Sequence, residues 1–338
     1  MPDVEPIGIG VLGAADIAWR RTVPAIERCA RLRLVAVASR SREKARRFAD
    51  RFGGDAVTGY QRLLDREDVA AVYIAVPNAL HAEWTEAAVR AGKHVLVEKS
   101  LTASVATAAA LVKSAEAAGL ALLENFAFLT HTQHERVREL VAAGAIGTPQ
   151  VVSASFGIPP ADPALIRYSR ELAGGALRET GCYTVRVAQL FLAEDVAVLG
   201  ARLRYDPRSG VDVSGSALLA DGAGVTAQCD FGLNHAYRNT YAIWGSEGRL
   251  EVDRAFTLPP DTRPVLRLQH ADVREERLLP VDDQFLGVVT SFARACADPA
   301  AREEHGLAIV RQAGLLESIV RQADAAGPAV PIGSGGQP

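Results

Sequence analysis

Five short apolar segments alternate with helix-forming segments through the first 124 residues of the chain. Apolar runs of roughly four to eight residues bounded by turn residues are typical of buried strands. Strands joined by helical crossovers run parallel. The pattern therefore predicts an α/β fold that begins with a doubly wound parallel sheet. The strands are expected at 7–12, 32–38, 69–76, 94–97 and 120–124, and the helices at 17–29, 43–52, 79–92 and 105–118.

The pattern changes after about residue 125, where predicted strands follow one another through turn signals such as Asp221-Gly222 and Glu247-Gly248. Such spacing is typical of an antiparallel sheet. We expect a dinucleotide-binding domain at 1–124, a second α/β domain with a largely antiparallel open sheet at 125–327, and a disordered tail at 328–338. The strands are expected at 150–158, 196–205, 211–219, 224–233, 239–244, 249–252 and 265–270, and the helices at 134–143, 177–192, 284–297 and 304–325.

Composition narrows the class of protein. The length of 338 residues exceeds the roughly 250–300 at which one core gives way to two. The net charge of −3 gives no basis for binding nucleic acid or an anionic membrane. The four cysteines are widely spaced and form no CxxC pair, which predicts reduced thiols and no metal site. With no signal-peptide pattern and no apolar run near ~20 residues, a cytoplasmic protein is expected.

The stretch Gly13-Ala14-Ala15-Asp16-Ile17-Ala18 joins the first predicted strand to the first helix. A small residue there permits a tight turn, and the backbone N–H groups of the following helix can bind a pyrophosphate. Ala15 and Ala18 stand where a full fingerprint has glycine, so an ordinary strand–helix turn is the alternative. The position in the first βαβ unit favours a dinucleotide site.

The end of the second predicted strand indicates the type of dinucleotide. Enzymes that use NAD usually place Asp or Glu there, against the ribose 2′-hydroxyl, whereas Arg accommodates a 2′-phosphate. This chain has Ser39-Arg40-Ser41-Arg42 and no acid before Glu43. A hydroxyl beside a guanidinium suits a phosphate. NADP(H) is the predicted cofactor, and the alternative is that Arg40 and Arg42 only decorate a helix start.

Three further motifs follow in order, namely VPNALH at 76–81, VEK at 97–99 and GGALRETGCY at 174–183. With the first loop, they make the chain resemble the Gfo/Idh/MocA oxidoreductase family up to about residue 325. The resemblance implies a Rossmann domain followed by an α/β domain with an open antiparallel sheet. It also implies a homo-oligomer, a dimer or a tetramer, formed through that sheet.

Other segments resemble one branch of the family, the sugar C-3 ketoreductases of bacterial deoxysugar pathways. These segments are DIAWRR at 16–21, ENF at 124–126, IPP at 158–160 with IRY at 166–168, and HAY at 235–237. The resemblance implies NADPH-dependent reduction of the C-3 ketone of a dTDP-linked 3,4-diketo-2,6-dideoxyhexose. Composition and spacing alone do not reach this substrate.

The resemblance makes Lys99 and Tyr183 the expected catalytic residues. Lys99 follows the strand at 94–97 and should lie at the carboxyl edge of the sheet, where its ammonium can stabilise an alkoxide. Tyr183 is the expected proton donor, and a neighbouring cation should lower its pKa. Glu179, four residues earlier on a predicted helix, should face the same cleft. Glu98 is expected to orient Lys99 or to contact the cofactor ribose.

The remaining site residues are expected to bind the two ligands. Arg167 is the candidate for the diphosphate of the substrate, with a surface salt bridge as the alternative. His81 is expected to position the nicotinamide, or else to cap a helix, and His235 and Tyr237 either line the sugar pocket or pack in the sheet. The expected cofactor set is Gly13, Ala14, Ala15, Asp16, Ile17, Ser39, Arg40, Ser41, Pro77, Asn78, His81, Glu98, Lys99 and Gln284, and the expected substrate set is Asn125, Arg167, Tyr168, Tyr183, His235 and Tyr237.

The chain departs from the usual family pattern at two positions. Ser100 stands where most members have Pro, and Glu179 stands where most have Asp. Tyr183 stands where many have His, but deoxysugar ketoreductases carry Tyr there. The alternatives to a ketoreductase are an NADP-dependent dehydrogenase of a free sugar or cyclitol and a non-catalytic NADP-sensing regulator. Loss of Lys99 or Tyr183 would favour the regulator, and both residues are present.

The cofactor prediction is tested by Arg40→Asp. The new carboxylate should repel a 2′-phosphate and accept a hydrogen bond from a 2′-hydroxyl, so preference should move from NADPH to NADH. The ratio of kcat/KM for the two cofactors measures this. An unchanged ratio would mean that the phosphate is bound elsewhere.

Overall fold

The computed structural model of the chain describes residues 5–325. The predicted tail at 328–338 lies outside these residues. Six parallel strands form the first sheet. They are β1 (Ile7–Leu12), β2 (Leu32–Ser39), β3 (Asp55–Thr58), β4 (Ala71–Ile74), β5 (His94–Val97) and β6 (Leu122–Glu124).

The strand order of this sheet is β3-β2-β1-β4-β5-β6. The order reverses between β1 and β4, and open α/β sheets bind ligands at the carboxyl ends beside such a reversal. Gly13, Pro77 and Lys99 follow β1, β4 and β5, so the topology gathers these motifs at one edge. The helices of the described chain are α1 (Val23–Arg28), α2 (Arg42–Phe52), α3 (Tyr60–Leu64), α4 (His81–Arg90), α5 (Val105–Ala117), α6 (Thr132–Ala142), α7 (Cys182–Ala188), α8 (Gln284–Ala297) and α9 (Ala300–Ala325).

The second sheet has eight strands in the order β14-β13-β12-β11-β7-β10-β9-β8. All neighbouring pairs are antiparallel except β7 with β10, which is parallel. The predicted α/β class and the largely antiparallel second sheet are confirmed. The strands are β7 (Pro149–Gly157), β8 (Ala197–Tyr205), β9 (Asp212–Ala220), β10 (Thr226–Gly232), β11 (Arg238–Gly245), β12 (Gly248–Asp253), β13 (Val265–His270) and β14 (Val273–Leu278).

The sequence prediction missed one of the two edge strands of each sheet. Strand β3 and strand β14, which reads VREERL, are largely exposed, so neither carries the apolar pattern that marks a strand. Two segments predicted as single continuous helices each begin with a π-helical turn in the structure. The helix expected at 17–29 is a π-helical turn at Ala18–Thr22 followed by α1, and the one expected at 177–192 is a π-helical turn at Leu177–Gly181 followed by α7.

The last two helices join the cores of both sheets. On one face of the first sheet, Phe292 of α8 packs with Ile9 and Tyr73. Helix α9 contributes Ile309 to the cluster on the opposite face and Leu316 to the core beneath the second sheet. The first core therefore includes residues from the end of the chain. Within residues 5–325, no helix is long and apolar enough to span a membrane.

Truncation of Phe292 tests this shared core. Its side chain is fully buried, so Phe292→Ala should lower the free energy of unfolding by about 3–5 kcal/mol. Leu307→Ala removes a side chain that is 61% exposed and should change the free energy of unfolding by no more than about 0.5 kcal/mol. Urea unfolding of both variants decides the matter. A loss of similar size in both would contradict the packing described.

Candidate active site

One cavity of about 740 Å³ lies between the carboxyl edge of the first sheet and the second sheet. It brings together most of the residues that the sequence singled out. Those lining it are Gly13, Ala14, Ala15, Ile17, Ser39, Arg40, Ser41, Pro77, Asn78, His81, Glu98, Lys99, Asn125, Arg167, Glu179, Tyr183, Tyr237 and Gln284.

Three expected residues are not among those that line the cavity. Asp16 is exposed and forms an ion pair with Arg20. The Tyr168 hydroxyl donates to the Leu233 carbonyl over 3.3 Å. His235 is exposed, and its ring lies so close to Gly232 that a Cβ on that glycine would come 2.4 Å from Nδ1. These three side chains have local partners away from the cavity.

The loop after β1 has the close packing that its sequence suggested. Gly13 has a φ of +104°, and a Cβ there would lie 2.2 Å from the carbonyl oxygen of Ala75. Only glycine accepts both the conformation and the contact. The loop therefore runs against the end of β4 and lines the cavity with Ala14 and Ala15.

The end of β2 forms a cationic part of the cavity wall. Ser41 caps α2 by accepting a hydrogen bond from the Lys44 N–H, and Arg40 beside it is exposed. Arg21, the last residue of the DIAWRR segment, and Lys44 also line the cavity, and neither was among the expected site residues. Among the described lining residues, the carboxylates are Glu98 and Glu179, and both have other partners. This donor set fits a dinucleotide with a phosphate on its ribose.

Lys99 follows β5, and its side chain is 12% exposed. Its Nζ lies 3.2 Å from the carbonyl oxygen of Glu179, 3.4 Å from Glu179 Oε2 and 5.2 Å from the centroid of the Tyr183 ring. Burial disfavours the ammonium, but nearby anionic groups, Glu179 foremost, raise the pKa of Lys99 above its ordinary value. The residue is therefore a cation at neutral pH. The peptide bond between Lys99 and Ser100 is cis.

Tyr183 is the second residue of α7, and its ring is surrounded by other aromatic rings. The centroids of Phe126, Phe128, Phe156 and Phe256 lie 5.3–5.7 Å from its own. Its hydroxyl makes no hydrogen bond to the described residues. The expected lowering of its pKa is wrong: burial raises the pKa of Tyr183, and the attraction of Lys99 only partly offsets it.

Glu179 contacts two cationic side chains in the cavity wall. Its Oε2 faces Lys99, and its Oε1 lies 3.3 Å from Nη2 of Arg167. The charge of Lys99 holds the pKa of Glu179 below its ordinary value, although burial opposes this. A glycine sets the position of this segment, because a Cβ on Gly175 would lie 2.1 Å from Asp212 Oδ1. Asp212 in turn accepts the Leu177 N–H at the start of the π-helical turn.

Glu98 is hydrogen-bonded to two neighbouring side chains, and its carboxylate also interacts with Lys99. Its Oε1 accepts hydrogen bonds from the Tyr73 hydroxyl and from Asn125 Nδ2, each over 2.6 Å. Burial raises the pKa of Glu98. Asn125, expected to bind substrate, is 4% exposed, and its Oδ1 has no partner among the described residues.

His81 and Gln284 both line the cavity. Nδ1 of His81 is 2.9 Å from the Ser100 carbonyl oxygen, and Nε2 is 2.8 Å from that of Val76. The ring therefore links the ends of β4 and β5. Gln284 is the first residue of α8, and its Oε1 is buried with no partner among the described residues.

Part of the cavity wall is more apolar than the motifs suggested. Phe128, Phe156, Ile158, Ile166 and Phe256 line it. Phe156 could have been found from its place near the end of a predicted strand, but no spacing links it to Phe256, which lies outside the predicted elements. Across residues 5–325, no group of three or more His, Cys, Asp or Glu side chains could hold a metal ion.

Comparison with known proteins identifies the family. Residues 7–126 match the model described as an oxidoreductase family with an NAD-binding Rossmann fold, and residues 134–251 match the Gfo/Idh/MocA C-terminal domain. A dTDP-3,4-didehydro-2,6-dideoxy-alpha-D-glucose 3-reductase from Streptomyces violaceoruber is 50% identical over 329 residues, which cover 95% of this chain and 96% of that protein.

Two other relatives show the range of the similarity. An NADP-linked D-xylose 1-dehydrogenase from Haloferax volcanii is 34% identical and covers 89% of this chain and 94% of its own. The crystal structure of a 3-ketoreductase from Actinomadura kijaniata in complex with NADP and TDP-benzene superposes with a TM-score of 0.92 at 45% identity, over 94% of this chain and 98% of that one. The fold, the cavity and these matches agree with the prediction from sequence: the chain belongs to the Gfo/Idh/MocA family of oxidoreductases.

Proposed function

We propose that this protein is an NADPH-dependent 3-ketoreductase that reduces the C-3 ketone of a dTDP-3,4-diketo-2,6-dideoxyhexose in deoxysugar biosynthesis. The observation that carries the proposal is the pairing of a largely buried ammonium with a partly buried phenol, since Lys99 Nζ lies 5.2 Å from the centroid of the Tyr183 ring in the cavity wall. The named activities of the relatives that cover most of the chain support the substrate.

Ketone reduction requires a cation for the developing oxyanion and a proton donor beside it. Lys99 remains charged because neighbouring anionic groups, above all Glu179, outweigh its burial. Tyr183 remains protonated because burial raises its pKa, and its hydroxyl has no bonded partner among the described residues. We assign Lys99 the role of oxyanion stabiliser and Tyr183 that of proton donor. The donated proton leaves the phenol and ends on the alcohol oxygen.

Glu179 holds the side chains of Lys99 and Arg167 in place before substrate binds. Its carboxylate touches Lys99 with one oxygen and Arg167 with the other, so both cations are held from the same point. Glu is one methylene longer than the usual Asp, and this length lets one side chain contact both partners. In this proposal Glu179 orients Lys99 and does not itself transfer a proton.

The dinucleotide would be held by the loop after β1 and by the cations at the end of β2. Gly13, Ala14 and Ala15 supply close backbone, and Ser39 with Arg40 supplies a hydroxyl and a guanidinium for a 2′-phosphate. When bound, the nicotinamide supplies the hydride for the ketone carbon. Unpartnered Gln284 Oε1 and Asn125 Oδ1 are acceptors available to ligands in this cavity.

The aromatic wall favours a deoxygenated sugar over a free sugar or cyclitol. Phe128, Phe156 and Phe256 line the cavity near Tyr183 and offer no hydrogen bond to a hydroxyl. Burying an unpaired hydroxyl costs about 1–3 kcal/mol, which disfavours a fully hydroxylated ligand. A free-sugar dehydrogenase stays the second candidate, because the D-xylose dehydrogenase is a relative over most of the chain. A non-catalytic sensor is disfavoured by the intact Lys99 and Tyr183.

We further propose a homo-oligomer, a dimer or a tetramer, assembled through the open face of the second sheet. Trp244 and Leu218 are exposed on β11 and β9, at positions that the register assigns to the same face. Small polar residues such as Ser153 and Ser216 lie between and around them on that face and would allow close approach. Sedimentation of the parent and of a Trp244→Glu variant tests the interface.

Removal of the proposed proton donor should slow the chemical step. Tyr183→Phe should lower kcat by about 10²–10⁴-fold with little change in NADPH affinity, since general-acid contributions have that size. Lys99→Met should also lower kcat. Because both groups act on one oxygen, the double variant should lose less than the product of the two single losses. Single-turnover oxidation of NADPH by the diketo sugar is the assay.

The same assay defines what would contradict the assignment. If Tyr183→Phe and Lys99→Met reduce the sugar at the parent rate, neither residue has its proposed role. Tyr237, which also lines the cavity, would be the next donor to examine.

Arg167 is proposed to bind the diphosphate of the nucleotide-sugar. Its guanidinium lies in the cavity wall beside Glu179, and removing a charged hydrogen bond should weaken dTDP binding by roughly 1.5–3 kcal/mol. NADPH binding should be unchanged in Arg167→Ala. Arg170→Ala is the matched control, because Arg170 is exposed and does not line the cavity. Titration calorimetry that gives equal dTDP affinities for the parent and Arg167→Ala would return Arg167 to a purely structural ion pair.

A further inference from the structure

Two consecutive residues at the end of β6 hold the chain on both sides of Lys99. Asn125 Nδ2 donates to Glu98 Oε1 over 2.6 Å, and the Leu101 N–H donates to Glu124 Oε1 over 2.7 Å. The contacts therefore fall one residue before Lys99 and two residues after it. Glu124 is not among the residues that line the cavity.

The register of the first sheet explains how Glu124 reaches this position. Glu124 pairs with Val97, where the ladder between β5 and β6 ends, and the Asn125 N–H donates to the Val97 carbonyl over 2.7 Å. From there the Glu124 side chain extends to Leu101. A carboxylate is thus supplied by the neighbouring strand to the segment that carries Lys99.

The contact of Glu124 has a counterpart on the other side of the same peptide group. The carbonyl oxygen of the Ser100–Leu101 peptide lies 2.9 Å from His81 Nδ1, and the N–H of the same peptide group donates to Glu124. The two side chains come from α4 and β6, which are separate parts of the first domain. Bonds at both ends of a planar peptide group fix its orientation.

Among the described residues, the Leu101 N–H is the one hydrogen-bond partner of the Glu124 carboxyl. Its Oε2 is buried without a hydrogen-bond partner among the described residues. Burial raises the pKa of Glu124 to about 7, although the Leu101 N–H and the charges of Arg186 and Lys99 oppose the rise. A buried, half-satisfied carboxyl is unfavourable for folding by itself. Its one bonded oxygen is directed at the segment that carries Lys99.

We propose that Glu124 is a positioning residue for Lys99, which acts by accepting the Leu101 N–H and, opposite His81, fixing the peptide group that follows Lys99-Ser100. This inference rests on the catalytic role proposed above for Lys99. Glu124 does not line the cavity, so it is assigned no contact with substrate or cofactor.

The test compares a variant that keeps the acceptor with one that removes it. Glu124→Gln retains an oxygen for the Leu101 N–H, whereas Glu124→Ala does not. Asp221→Ala is the matched control, because Asp221 is a buried carboxylate that accepts backbone N–H groups of Ala193 and Val225 and does not line the cavity. If Glu124→Ala does not fold, Glu124→Asp replaces it, since its shorter side chain holds the carboxylate back from Leu101.

The first readout is single-turnover oxidation of NADPH by the diketo sugar. Glu124→Ala should be slower by about 100-fold with unchanged NADPH affinity, because small misplacements of a catalytic group have effects of that size. Glu124→Gln and Asp221→Ala should stay near the parent rate. A parent rate in Glu124→Ala, or a rate in Glu124→Gln as low as that of Glu124→Ala, would overturn the proposal.

The second readout needs no substrate. The four lysines of the chain can be labelled with trace acetic anhydride and quantified by mass spectrometry, with exposed Lys113 as the internal reference. Labelling of Lys99 should rise in Glu124→Ala but not in Glu124→Gln or Asp221→Ala, and unchanged labelling in Glu124→Ala would refute the positioning role. If the parent enzyme does not reduce the diketo sugar, the proposed function fails, while this labelling still decides the role of Glu124.

Discussion

The site depends on one largely buried ammonium, that of Lys99, which forms an ion pair with one carboxylate. Removing the charge of Lys99 from water is unfavourable unless an anion stands close. Glu179 supplies that anion, yet it is shared with Arg167, so two positive charges meet one negative charge at the cavity wall. The surplus positive charge suits a site whose ligands carry a diphosphate and whose reaction develops an oxyanion. Aromatic rings surround Tyr183 in the same cavity wall. Because they leave little room for water there, the positive charge acts on a bound ligand with less screening.

Much of the fold could be predicted from the chain because buried parallel strands are continuously apolar. The strands from β1 to β13 that have a buried face were all anticipated, with small shifts at their ends. The two that were missed, β3 and β14, are edge strands with exposed, charged or polar sequences. These strands form because they pair with a neighbouring strand of the sheet. The local sequence of an edge strand does not reveal that pairing.

The candidate site also has a part that could be predicted from the sequence and a part that could not. Motifs at the carboxyl ends of strands, such as Gly13, Arg40 and Lys99, could be predicted because topology alone gathers them at one edge. The links between distant residues could not. No spacing in the sequence relates Glu179 to Arg167, or Glu124 to Leu101. The pKa of Tyr183 is raised by its burial among four aromatic rings, whereas the sequence suggested only the neighbouring cation, which would lower it. Asp16 and His235 were chosen by motif, but local contacts direct them elsewhere.

The packing of α8 against the first sheet has a consequence for how the chain is made. Synthesis delivers β1 to β6 long before Phe292 and its neighbours leave the ribosome, so the nascent dinucleotide-binding domain has an uncovered apolar face through most of translation. Completion of that face requires prior synthesis of the segment that forms the second sheet. The two domains are consecutive in sequence, yet the first to begin folding is finished only by the last helices to emerge.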